Sequence, residues 1–85
     1  AIQINKRYAK AHNDLATVYG RQGKFDLALG EFKEAIRIDR DYADAHYNLG
    51  ILLEFLDEKE LAKKEFNEAL RLEPGNELYK RKLKK

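Results

Sequence analysis

Residues 43–74 read ADAHYNLGILLEFLDEKELAKKEFNEALRLEP, and their spacing decides the fold. His46, Leu49 and Leu53, then Ala62, Phe66 and Ala69, recur at three and four residues, the period that places side chains on one face of a helix. Two helices are therefore expected here. Pro74-Gly75-Asn76 closes the stretch, because a proline stops the helix before it and the next two residues tolerate turns.

The same plan stands one unit upstream. Residues 9–42 align with 43–76 at an offset of 34, with 11 of 34 positions identical, including an A-x-A-H start and an E-F-x-E-A core. Within this unit the spacing predicts a helix over 9–22, with Ala9, His12, Leu15, Ala16 and Tyr19 inward and Gly23 ending it. A second helix is expected from about 26 to 38, with Leu27, Ala28, Phe32, Ala35 and Ile36 inward and Asp26 near its positive end. Ala28 and Ala35 matter because small residues let helices approach closely.

Two joints break the symmetry. Asp57 stands where the first unit has Gly23, so it either adopts a left-handed backbone or ends the helix differently. Arg40 stands where the second unit has Pro74, so nothing between Ile38 and Ala43 forbids continued helix.

The ends follow the same period. Residues 1–9 share five of nine positions with 35–43, which marks 1–8 as the stub of a preceding repeat whose first four residues fray or join the next helix. The first residue is Ala rather than Met, so a fragment of a longer chain is expected. Residues 77–85 carry Leu83 at the place of Leu49 and Leu15, and read as a terminal helix with one apolar edge, suited to capping an array.

His46-x-x-Leu49-Gly50-x-x-Leu53, Ala62-x-x-x-Phe66, Ala69 and Pro74 resemble the tetratricopeptide repeat, a 34-residue helix-turn-helix unit with the pattern W-x-x-L-G-x-x-Y, A-x-x-x-F, P. His stands for Trp and Leu for Tyr. The resemblance implies an all-α fold, an α-solenoid of antiparallel helix pairs, with repeats at 9–42 and 43–76 and a cap at 77–85. A four-helix bundle would share the periodicity, but would not require Ala28/Ala62, Phe32/Phe66 and Ala35/Ala69 to recur at one fixed offset.

Composition narrows the function. No run of eighteen apolar residues suggests a membrane span, and the absence of Cys excludes disulfides, thiolate nucleophiles and Cys-based zinc sites. The net charge of +2 is uneven: five basic residues lie in 80–85, and the other twelve face fifteen acidic residues, leaving a body at −3. That distribution argues against nucleic acid as the main partner. His12 and His46 are equivalent residues of successive units with no third His or Cys, so packed aromatic substitutes are expected rather than metal ligands. Asp and Glu interleave with Lys and Arg as on solvated faces, and no nucleophile has a catalytic context. Neither enzyme activity nor a cofactor is expected.

Binding is the remaining class. The resemblance implies a concave groove lined by the first helices that holds a partner peptide or helix. The residues expected to face it are Asn13, Thr17 and Arg21 in the first unit and Tyr47, Ile51 and Phe55 in the second, each trio spaced four apart. One stripe is polar and the other apolar, and an exposed apolar stripe marks an interaction site unless the terminal helix covers it. Some family members grip a partner's C-terminal carboxylate with a clamp of Lys, Asn and Arg. Asn48 and Lys82 occupy compatible positions, whereas Asn13, Thr17 and Leu78 replace the expected Lys, Asn and Lys. A separate expectation is self-assembly, since Arg40 permits the second and third helices to fuse and swap between copies as a homo-oligomer.

Overall fold

The computed structural model describes residues 5–83, which form five helices: α1 (Lys6–Arg21), α2 (Phe25–Ile38), α3 (Ala43–Phe55), α4 (Lys59–Leu72) and α5 (Glu77–Leu83). α1 begins three residues ahead of the expected Ala9 because Asn5 caps it, its side-chain oxygen accepting from the Tyr8 N–H at 3.2 Å. Residues 6–8, assigned from sequence to a preceding stub, therefore extend α1. Residues 1–4, expected to fray or join that helix, lie outside the described residues.

α1 and α2 form one antiparallel hairpin, α3 and α4 a second. Both hairpins turn the same way. Gly23 sits at φ 78°, and the Lys24 N–H reaches back to the Tyr19 carbonyl at 2.9 Å. Asp57 repeats this with φ 65° and a Glu58 N–H to Leu53 carbonyl bond of 2.8 Å. Of the two routes open to Asp57, the chain takes the left-handed one, at a cost of about 1–2 kcal/mol for a residue with a Cβ.

The core is built from the small-aromatic-small series. Ala28, Phe32 and Ala35 in α2, and Ala62, Phe66 and Ala69 in α4, are all buried. A Cβ placed on Gly50 would lie 2.6 Å from Cε1 of the Phe66 ring, so only glycine lets α3 and that ring meet. α2 then packs on α3, where Leu49 and Leu52 join Ala28 and Phe32 in one buried cluster, and α4 packs on α5, burying Tyr79.

Three expectations change. Leu15, read as inward, is 39% exposed, whereas its equivalent Leu49 is 4% exposed. The helix is right; what differs is the neighbour, because among the described residues no helix stands against α1 as α2 stands against α3. Leu27 is also exposed, as is its equivalent Leu61, so this position lies on the outer face of both second helices. Finally, α2 and α3 do not fuse despite Arg40. Asp39 adopts an extended backbone (φ −137°, ψ 94°), and its carboxylate accepts from the Asp41 N–H at 3.2 Å. An Asx-type turn thus breaks the helix where proline is absent.

Asn13 departs from its expected place too. It is 7% exposed and acts as a strut between the repeats: it donates to the Tyr42 hydroxyl at 3.4 Å and accepts from the Asn48 amide at 3.1 Å.

Two measurements check this account. Gly50→Ala should cost about 1–3 kcal/mol in urea denaturation by overpacking the Phe66 ring, while Gly30→Ala, in a helix with open space beside it, should gain about 0.5–1 kcal/mol; similar effects at both sites would contradict the close-approach reading. Asn13→Ala should cost about 1–2 kcal/mol, because it strands the Asn48 amide; a change within about 0.5 kcal/mol would show the strut to be solvated.

Candidate interaction groove

α1 and α3 run side by side, and between them lies an open, almost wholly apolar groove of about 500 Å³. Its space comes from what α1 lacks. Gly20 has nothing within 4 Å of where a side chain would begin, and Gly23 turns the chain away just beyond. Thr17 lies along the same wall with its hydroxyl donating to the Asn13 carbonyl at 3.0 Å, so that hydroxyl is already engaged. Ile51 and Phe55 of α3 form the opposite wall, and Phe25, the first residue of α2, closes one end.

The Tyr47-Ile51-Phe55 stripe divides at this point. Tyr47 is half-buried by aromatic neighbours: its ring packs 5.8 Å from Phe66 and 4.9 Å from Tyr79 of α5. Ile51 is half-buried in the groove, and Phe55 is 70% exposed with its ring 5.1 Å from Phe25. The terminal helix therefore caps one end of the stripe and leaves the other open. Tyr79 anchors that cap by donating its hydroxyl to the Asp44 carboxylate at 2.8 Å; burial first, and then this bond, push the phenol pKa well above its ordinary value.

The polar members of the expected site are mostly engaged. The Asn48 amide is directed at Asn13. Lys82 donates to Glu54 at 2.9 Å and lies 5.7 Å above the Phe66 ring. Arg21 is exposed at the groove's edge. The structure thus brings Thr17, Arg21, Asn48, Ile51 and Phe55 together, places Tyr47 and Lys82 at the α5 end, and withdraws Asn13 into the interior. Asn48 and Lys82 do not converge on an open anion site, since each already has a protein partner. Among the described residues no cluster of three His, Asp or Glu is arranged to hold a metal ion.

Phe25 and Gly20 were not foreseen in the site. The offset of 34 carried the signal: Phe25 stands against Lys59, and Gly20 against Glu54. A surface position that is charged in one unit and aromatic or bare in the other marks a local change of use.

Among the described residues no helix is long and apolar enough to cross a membrane. No curated protein sequence matches the chain. Its fold resembles the crystal structure of MamA, with a TM-score of 0.86 at 22% identity over 93% of this chain and 46% of that one. It also resembles the first TPR of Spaghetti (RPAP3) bound to the HSP90 peptide SRMEEVD, with a TM-score of 0.83 at 29% identity over 89% of this chain and 62% of that one. The chain spans less than two thirds of either. Family models described as TPR repeat and tetratricopeptide repeat match residues 21–54 and 43–76. With family models that together match residues 21–76, two stacked hairpins and the buried Ala-Phe-Ala series at one fixed offset, the chain belongs to the tetratricopeptide repeat family.

Proposed function

We propose that this protein-interaction module binds a partner peptide or helix in the groove between α1 and α3, with an apolar side chain of the partner seated against Ile51, Phe55 and Phe25. The observation that carries this reading is Phe55, an aromatic residue 70% exposed beside a groove with almost no polar lining. Leaving such a ring in water forfeits about 1.5–3 kcal/mol that burial would return. Arg21, exposed at the groove's edge, supplies a polar group that orients a chain, and a fold neighbour with a bound peptide supports a peptide as the class of ligand. Capture of a terminal carboxylate is not the favoured mode, because Asn48 and Lys82 are paired with Asn13 and Glu54.

A display library of short peptides selected on the purified chain tests the reading. Enriched peptides should share an aliphatic or aromatic anchor, and the Ile51→Ser/Phe55→Ser variant should bind them at least about tenfold more weakly with unchanged helicity. Peptides that bind this variant as well as the parent would sink the proposal.

One observation favours a second reading, assembly between copies. Tyr8, Leu15 and Val18 are exposed along α1, while Leu49 and Leu52, equivalent to the latter two, are buried under α2. Light scattering on a size-exclusion column should then report an oligomer that Leu15→Gln/Val18→Gln reduces to monomer. A parent chain that is monomeric at high concentration removes this reading and leaves the groove proposal untouched.

A further inference from the structure

The two joints between successive hairpin elements are held by different chemistry. At the second, Pro74 stops α4, and Asn76 caps α5 by accepting from the Tyr79 N–H at 3.2 Å. None of these groups titrates near neutrality. At the first, proline is replaced by Arg40, and the turn is gripped from α3 by His46.

His46 is 8% exposed, and both its ring nitrogens are engaged. Nε2 lies 2.9 Å from the Arg40 carbonyl oxygen, and Nδ1 lies 2.8 Å from Oε1 of Glu65 on α4. A carbonyl oxygen can only accept, and so can an ionised carboxylate. A neutral imidazole carries one N–H, so it satisfies one of these contacts and turns a lone pair toward the other acceptor. The imidazolium carries two, and satisfies both. The ring therefore links the α2–α3 turn to α4 in full only when it holds the extra proton.

We propose that His46 is a proton-dependent clasp on the joint between the two repeats, closed as imidazolium and released at the turn of residues 39–42 when it deprotonates. The groups that act on the ring are the Arg40 carbonyl from the turn and the carboxylates of Glu65 and Glu68 from α4, Glu68 being itself paired with Arg71 at 3.0 Å. Burial opposes charging the ring, but the bonds to Glu65 and the Arg40 carbonyl, with the two carboxylate charges, outweigh it and hold its pKa above the ordinary imidazole value. His12 is the built-in comparison. It meets Glu31 in the same way, but among the described residues its ring makes no second bond, and Lys6, which stands to it as Arg40 does to His46, lies in a helix rather than a turn.

The direction with pH follows. A group whose pKa is raised in the folded state contributes stability that is fully present below its unfolded value of about 6.5 and is lost as pH rises through the folded value. The joint therefore loosens on the alkaline side, whereas the second joint keeps its proline and its Asn76 cap.

An NMR titration of the histidine Cε1 protons in the whole chain tests this, with His12→Gln assigning the two signals. The His46 midpoint should lie above about 6.5, stay in place in His12→Gln, and move down in Glu65→Gln. Above the midpoint, hydrogen-exchange protection should fall at the Ala45 and His46 amides, which bond the Tyr42 carbonyl at 3.1 and 3.3 Å, and not at the Lys80 amide beyond the second joint. A His46 midpoint at or below about 6.5 overturns the proposal on the parent chain alone, even if Glu65→Gln fails to fold. Protection at the first joint that does not follow the midpoint overturns the release.

Discussion

The contact on which the rest depends is that of the Phe66 ring against Gly50. A ring lying where a Cβ would stand brings α3 onto α4 at a distance no other residue permits. Once those helices are locked, Leu49 and Leu52 on the other side of α3 are presented to α2, and Tyr47 is presented to Phe66 and Tyr79. In the first hairpin Ala16 stands in place of Gly50, fully buried in the same cluster as Ala28 and Phe32, and its Cβ keeps a ring from so close an approach. Small residues set the distance between helices, and the aromatic rings then fill what remains.

This is why so much of the fold was legible. The Ala-x-x-x-Phe-x-x-Ala series states a packing distance and a register at once, and stating it twice at an offset of 34 fixes hairpin, order and direction. Pro74 and Gly23 mark ends by local chemistry, which needs no knowledge of neighbours. The misread positions share a different origin. Leu15 has the pattern of a core residue, but its burial is decided by a helix packed from outside, and Leu49 shows what that helix would do. Asn13 has the spacing of a groove residue, but Tyr42 and Asn48 draw it inward. Helix breaking at Asp39 rests on a side-chain turn, a weaker signal than proline and easily passed over.

The candidate site was half legible for the same reason. Periodicity put Ile51 and Phe55 on one stripe, since that depends on α3 alone, and both line the groove between α1 and α3. It named Thr17 and Arg21 on the opposite wall but not the space beside them, which exists because Gly20 lies near the end of α1, Gly23 follows it, and α2 opens on Phe25. A groove is a relation between two helices, and only comparison of the units, residue against residue, reveals that relation in a sequence. Where both units agree, the residues build the scaffold. Where they differ, as at Phe25/Lys59 and Arg21/Phe55, one unit has been released from the common task.

The same logic applies to the joints. A proline joint is rigid because the ring removes a donor and blocks the helical path whatever the solvent does. A joint closed by hydrogen bonds to Asp39 and His46 depends on groups that water and protons can reach when the turn opens. With Arg40 in the place of proline, the joint is of the second kind, and His46 ties it to α4 as well as to the turn. The groove spans that boundary, with one wall from each repeat. Its shape therefore depends on a joint held by the Asp39 turn and the His46 contacts, where the joint before α5 relies on Pro74.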